Sequence, residues 1–590
     1  MELRPRALSA LSRGRLAALA AAAALVALLA CSPASAATTT GKSAFPTLTS
    51  ISTQQDQPPK GFRLTPLQAI AIAQRAPKIS DELRRHPHLT PATYTESGRR
   101  WQVSWFRGSK EMAQAIVDDR FGAVTESWTG YQVAWRMARG YPGAFGRKFN
   151  ATYVWLPLGL LFLLPFFDPR RPFRLLHLDL LVLVAFAVSH FFFEKGNIGV
   201  SVPLVYPVLA YLFVRMLMIG FQRRGRPPPS GRLVPILPMW VLVMAILALI
   251  GFRVALNMVN SNVVDVGYSG VIGAHKIVHG QSLYGNTFPS DNEHGDTYGP
   301  VNYLVYVPFE RIWHWSGSWD DLPAAHAAAI AFDLLTMLGL FLLGRRLRAG
   351  PAGRDLGIVL AYAWAAYPYT LFTLASNSND TLVAMLCVYA LLAIASPVGR
   401  GVLIGLGAAA KFVTLALGPL FARGTGKLFR RGTLEAALAI AAVFVLSFVP
   451  FLGPGISQVW HRTLDYQITR PSPFSIWGQV GSLDWLHTVV KVIAVGLAVL
   501  VGFVPRRRDP VKVAALGAAV LLAFEIAAGH WFYLYIVWFT PFALVALFTP
   551  YVPVSEEPEA ESARSNGRAR FLRRRSLLPS PTGPRPTSRT

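Results

Sequence analysis

Apolar runs recur along this chain between residues 152 and 550, most of them close to 20 residues long, and they constrain the fold more than any other feature. A helix rises about 1.5 Å per residue, so some 20 apolar residues cross the roughly 30 Å hydrocarbon core of a bilayer. Lipid offers backbone groups no hydrogen bonds, and a helix satisfies them internally. The chain therefore reads as an α-helical polytopic membrane protein. Spans are expected near residues 152–167, 174–193, 197–219, 232–257, 322–344, 356–375, 380–397, 434–452, 488–504, 511–528 and 531–550. Only 15% of the 590 residues are charged, well below the quarter or so usual in soluble proteins.

The net charge of +26 does not imply a nucleic-acid partner. Much of the Lys and Arg lies in short loops between apolar runs, at 168–174, 222–232, 345–354 and 506–512, and in the tail of 551–590. That is the pattern of basic loops retained on the cytoplasmic side. It predicts an extracytoplasmic N-terminal part and a disordered, basic cytoplasmic tail.

Residues 1–36 read as an export signal or signal anchor. Arg4, Arg6, Arg13 and Arg15 precede an Ala/Leu-rich stretch. Ala34-Ser35-Ala36 fits a cleavage site, and Leu28-Leu29-Ala30-Cys31 fits a lipidation site. With Cys31 there and Cys387 inside an apolar run, neither a disulfide framework nor a cysteine metal site is expected. Residues 37–60 are Thr/Ser/Gln/Pro-rich and read as a linker. Residues 61–147 read as a small α+β domain. Thr65 caps an amphipathic helix, RWQVSWF alternates as a strand, and Asp118 to Gly122 form a hairpin turn. Asp118 and Asp119 are read as turn residues.

One apolar segment departs from alternation. Residues 401–421 have basic sequence on both flanks and Lys411 at their centre. A broken, re-entrant pair of short helices keeps both ends on one side and aims Lys411 into a protein-lined cavity.

With this topology residues 258–320, the turn Ser376-Asn377-Ser378-Asn379-Asp380, residues 453–487 and the turn at His530 face outside together. Asp265 lies just past the run ending near Val254, at the membrane surface. There an acid can meet a polar acceptor and a lipid-borne donor. Glycosyl transfer from a polyprenyl-phosphate sugar needs a base for the acceptor hydroxyl and cations or donors for the departing phosphate. Lys411, Arg462, Arg470 and His530 are the candidate phosphate partners, arginine being well matched to phosphate. No metal or other cofactor is expected. Asp291, Glu293, His294 and Asp296 have no metal-ligand spacing and read as a solvated patch. Asp380 reads as a helix-start capping residue, with acceptor-sugar binding as the alternative. Asp333 and Glu525, inside apolar runs, are either functional or structurally paired.

The stretch DVGYSGVIGAHKIVHGQSLYG followed by TYGPVNYLVYVPF resembles the first extracytoplasmic loop of polyprenol-phosphate-mannose-dependent mannosyltransferases, which are GT-C glycosyltransferases. GLGAAAKFVTLALGPL resembles their later lysine-containing segment, matching at Lys411 and Pro419. DYQITRPSPFSIWG resembles one of their outer loops. The resemblance covers about residues 235–550. It implies a GT-C-like core at 232–550, Asp265 as catalytic base, and substrate contacts at Tyr284 and Tyr298. It also implies a polyprenyl-phosphate mannose donor and an envelope glycan or glycolipid acceptor. Lys411-Phe412 stands where that family more often has Lys-Pro, and the three spans at 152–219 are additional. VDDRFGAVTESWTG at the end of the small domain resembles PepSY domains. Two other function classes share these features, a transporter or flippase of a lipid-linked precursor and a membrane sensor or assembly scaffold.

Overall fold

A computed structural model of the chain describes residues 48–96, 98–140, 152–169, 171–222, 237–470 and 472–551. The expected export signal and most of the basic tail lie outside the described residues.

The N-terminal part is a five-stranded antiparallel meander, β1 (Leu48–Ile51), β2 (Thr90–Glu96), β3 (Arg100–Arg107), β4 (Lys110–Asp118) and β5 (Ala123–Thr129), in spatial order β1-β2-β3-β4-β5. Two helices, α1 (Pro66–Gln74) and α2 (Pro77–Arg85), cover one face. The alternation in β3 puts Trp101, Val103 and Trp105 on that face, where they pack with Ala69, Ile70, Ala73 and Ile79. Thr65 and Gln68 form a reciprocal capping box at the start of α1. β1 falls within the stretch expected to be a linker. Its side chains are largely exposed, and it joins the sheet through backbone pairing, from Leu48 opposite Glu96 to Ile51 opposite Thr93. Composition carries little trace of such an edge strand.

Asp118 and Asp119 have structural roles. Asp118 accepts from the amides of Arg120 and Phe121 at 2.8 and 3.1 Å, closing the turn at Gly122, whose φ is +59°. Asp119 is buried and accepts from the amides of Arg63 and Leu64 at 2.7 and 2.9 Å and from Trp101 Nε1 at 3.1 Å. It therefore ties the segment leading into α1 to the far end of β3. Asp119→Ala leaves two buried donors and one part-buried donor unanswered, and a loss of about 3 kcal/mol is expected. Limited proteolysis of the full chain should show this as faster cleavage within residues 48–129; an unchanged cleavage rate would contradict it.

Seven helices among the described residues are long and apolar enough to cross a membrane, Leu175–Glu194, Ile198–Phe221, Met239–Val259, Pro323–Leu347, Arg431–Phe451, Gly481–Phe503 and Pro510–Ala527. An eighth span results if Gly350–Ala366 and Pro368–Ala375, bent by 57°, count as one. The bend sits at Tyr367, which is extended because it precedes Pro368. Eleven spans were expected. The remaining apolar segments form shorter helices, among them Thr152–Phe166, Asp380–Leu392 and Tyr533–Phe548. Thirteen residues give Asp380–Leu392 a length of about 20 Å, short of the hydrocarbon thickness. That helix is buried along nearly its whole length, so its apolarity reflects packing against protein.

Two of the acids inside the bundle pair with arginines, and a third accepts from a tryptophan. Asp179 binds Arg215 and the Tyr211 hydroxyl at 2.8 to 3.0 Å. Asp333 receives two guanidinium hydrogen bonds from Arg253, at 2.6 and 3.1 Å, and one from Trp364 at 2.9 Å. Glu525 accepts from Trp531 at 3.0 Å. The front helices are fastened to the rest by Tyr362 and Tyr367, which donate to the carbonyls of Leu161 and Leu183, and by Tyr533 against Ser189 and Ser201.

The segment around Lys411 is a helical hairpin. Pro397–Ala410 ends at Lys411, whose backbone is extended, and Phe412–Arg423 returns beside it. Arg400, near the start, donates to the carbonyls of Phe421 and Ala422 at 2.6 and 3.0 Å, near the end. Both basic flanks therefore lie together and Lys411 is at the tip.

Candidate active site

Four chain segments converge on Asp265. The loop after Met239–Val259 runs alongside the end of Pro368–Ala375, with the Asn262 and Val264 amides donating to the carbonyls of Ala375 and Ser376 at 3.0 and 3.1 Å. Asn377, in a left-handed conformation at φ +50°, stitches the crossing. It takes a hydrogen bond from Asn257 and gives one each to Ser261 and the carbonyl of Asn262. This places Asp265, the first residue of helix Asp265–Val278, beside the turn ending at Asp380. A side chain on Gly267 would meet the Asn377 carbonyl at 2.2 Å, so the close approach requires glycine there.

Asp380 is fully buried at the start of its helix and does not cap it. Its carboxylate accepts from Lys411 Nζ, Trp538 Nε1 (2.8 Å) and the Ser378 hydroxyl. Lys411 also lies 5.5 Å from the ring centres of Tyr298 and Trp538. Tyr298 reaches it because Gly299 touches the hairpin, where a Cβ would meet the Ala409 carbonyl at 2.0 Å.

Arg470 supplies a second cation. It is the largest charge favouring an ionised Asp265, its guanidinium reaches the Tyr535 hydroxyl, and nothing described accepts from its Nε. Tyr535 stacks on Trp538 at 4.1 Å. The Asp265 carboxyl is raised from its ordinary pKa by burial, opposed by Arg470, the Val266 amide and Lys411 and reinforced by Asp380. Yet the residue is exposed. The site thus offers an accessible carboxylate facing two cations, beside a second carboxylate that Lys411 neutralises.

The other expected site residues are placed differently. Arg462 does not face the site. It makes a two-pronged ion pair with buried Asp296, at 2.8 and 2.5 Å, and donates to the Glu293 carbonyl, which locks the loop in place. Tyr284 is buried and donates to the Tyr298 carbonyl at 2.9 Å, so it supports Tyr298 from behind. His530 receives or gives a hydrogen bond with Ser472 at 2.8 Å. Burial, with Arg470 beside it, lowers its pKa well below the usual imidazole range. The acidic patch is dispersed, with Asp296 on Arg462, Glu293 on His294 and Asp291 near the Tyr268 hydroxyl. Among the described residues no three His, Cys, Asp or Glu side chains gather as a metal site.

Sequence reasoning weighed Asp380 chiefly as a helix cap and did not single out Tyr535 or Trp538, which the structure brings beside Lys411 and Arg470. The available signal was Lys411 itself. A lysine at the tip of an apolar segment needs a nearby acid, and Asp380 opens the neighbouring apolar run. The N-terminal module also reaches this region. Trp135 packs on Phe474 and His530, with ring centres 5.3 and 5.9 Å apart, and the Tyr131 hydroxyl donates to the Gly478 carbonyl at 3.3 Å.

Residues 297–528 match the family model of glycosyltransferase family 87. The matched region holds Tyr298, Asp380, Lys411 and Arg470; Asp265 precedes it and His530, Tyr535 and Trp538 follow it. No curated protein matches the chain. The family match and the array of apolar helices support a multi-pass membrane glycosyltransferase.

Proposed function

We propose that this membrane glycosyltransferase moves a sugar, mannose in the first instance, from a polyprenyl-phosphate carrier to an envelope glycan or glycolipid on the extracytoplasmic face. The observation that carries the reading is an exposed carboxylate, Asp265, whose ionisation Arg470 and Lys411 favour. In the reaction the acceptor hydroxyl oxygen forms a bond to the anomeric carbon. The bond from that carbon to the phosphate oxygen breaks, and its electron pair leaves with the polyprenyl phosphate. Asp265 takes the hydroxyl proton. Arg470 and Lys411 offset the charge that grows on the phosphate. Tyr298, partly exposed beside Lys411, offers an aromatic face suited to a sugar ring. The acids within the apolar helices are held by Arg215, Arg253 and Trp531, an arrangement that favours fixed structural pairs over a transport path.

The test follows label from radiolabelled polyprenyl-phosphate mannose into a cell-envelope glycan extract, with purified protein in lipid. Transfer by the wild type supports the reading. Failure with mannose and with other sugars on the same carrier would overturn it.

The electrostatics give a directional prediction. The base must be ionised, so the acidic limb of kcat/KM reports Asp265 in the free enzyme. Burial raises its pKa and Arg470 lowers it. Arg470→Gln leaves burial less opposed, so the acidic limb should move to higher pH. A limb that stays in place while the rate falls would separate Arg470 from the base.

A further inference from the structure

The base of the Lys411 hairpin, about 20 Å of helix away from the tip, carries a cleft of about 180 Å³. Arg400, Arg423, Lys427 and Arg430 line it, together with Thr425 and Thr433, and no acidic residue does. The first two arginines form its floor. Arg400 is bound to the carbonyls of Ile394, Phe421, Ala422 and Gly432, and Arg423 to those of Gly502, Phe503 and Arg506. Their geometry is saturated, but their charge remains. Lys427 and Arg430 are exposed, and among the described residues neither meets an acid. The nearest carboxylate in sequence, Glu435, is taken by Arg431 at 2.7 Å.

What adjoins the cleft identifies its occupant. Phe429, between the two free cations, holds a left-handed backbone at φ +58° and is 87% exposed. Leu434 and Leu438 follow on the next helix, 61% and 60% exposed, and that helix, Arg431–Phe448, turns an unburied apolar face outward over its length. Cations at the end of a lipid-facing apolar stripe match a phosphate head with acyl chains attached. A soluble anion would use the cations and leave the stripe unmatched. We infer that this cleft binds the headgroup phosphate of an anionic phospholipid, with its acyl chains along Leu434 and Leu438. The lipid would brace the base of the hairpin whose tip carries Lys411. The inference rests on the hairpin alone and stands apart from the proposed sugar donor.

The experiment reconstitutes the full chain in phosphatidylcholine nanodiscs doped with a photoactivatable phosphatidylglycerol and maps the cross-linked peptides. Lys427→Gln/Arg430→Gln serves as the variant, since both side chains are exposed and hold no structural partner among the described residues. Label should concentrate on peptides spanning residues 423–438 and fall by about 30-fold in the double variant, the scale set by two basic residues at an anionic surface. Equal label in variant and wild type, or label spread evenly over all outer helix faces, would overturn the proposal. So would displacement of the label by excess inorganic phosphate, which would reassign the cleft to a soluble anion. A folding control comes from the variant's melting temperature, and a double variant that melts early is replaced by the single Lys427→Gln, expected to show a smaller loss in the same peptides.

Discussion

Asp265→Asn is expected to reduce sugar transfer by about 100- to 10,000-fold, the range over which a positioned general base acts, while protein level and membrane insertion stay unchanged. The replacement keeps shape and removes the negative charge together with the capacity to take a proton. The carboxylate accepts from the Val266 amide, which an Asn oxygen can also do, and the other structural contacts of this residue run through its main chain. Its carbonyl accepts from Ser269 at 2.7 Å and from Asn292 at 3.1 Å, and neither contact depends on the carboxylate. The side chain is exposed and sits at the first position of its helix, where an Asn oxygen is equally tolerated. Fold and function therefore separate cleanly at this position. The measurement is initial-rate transfer of label from a polyprenyl-phosphate sugar, beside the melting temperature of the same preparations. Asp265→Glu keeps a carboxylate and should retain part of the activity. An Asn variant that transfers at more than a tenth of the wild-type rate would remove the base assignment and return weight to a transporter or scaffold.

The second large effect concerns the Asp380–Lys411 pair. Both groups are buried, with Asp380 fully enclosed. Removing either partner leaves the other as an uncompensated buried charge, a loss of about 3–5 kcal/mol. Lys411→Met and Asp380→Asn should each lower the melting temperature strongly. The double variant leaves no charge behind and should recover most of that stability, a coupling of about 2 kcal/mol or more. Activity discriminates the roles. If Lys411 also faces the donor phosphate, the double variant folds but transfers sugar about 10- to 100-fold more slowly, the value of a charge-assisted hydrogen bond in the transition state. Recovery of transfer together with stability would make Lys411 a purely structural partner of Asp380.

Individual residues show how far a sequence reading reaches here. Lys411 was legible because an apolar segment with basic sequence at both ends and a charge in the middle cannot cross a membrane once without placing a basic loop on the wrong side. The structure has the hairpin, held at its base by Arg400. Asp265 was legible as a polar acid just beyond a long apolar run. Asp380 was not, because an acid at a helix start is ordinarily a capping residue, and only its approach to Lys411 from another part of the chain reveals otherwise. Arg462 looked as available for phosphate as Arg470 did. Asp296, 166 residues earlier, takes it. Among the described residues seven helices, or eight with the bent pair, have the length and apolarity of a span, against the eleven read from hydropathy. Hydropathy registers removal from water, whether lipid or protein does the removing, and Asp380–Leu392 is surrounded by protein.

The sequence by itself determined what depends on neighbours along the chain. That includes the membrane-spanning character from length and apolarity, the capped helix at Thr65, the turn at Gly122, and the break at Lys411. Tertiary structure alone decided which charges are consumed by one another. It also decided that β1 closes the edge of the sheet and that Trp135 of the N-terminal module packs against His530 beside the site. The physical reason is range. Helix periodicity, capping and turn chemistry act over a few residues. The pairing of a buried charge is set by whichever side chain the fold brings within hydrogen-bonding distance, and a chain read in order does not contain that distance.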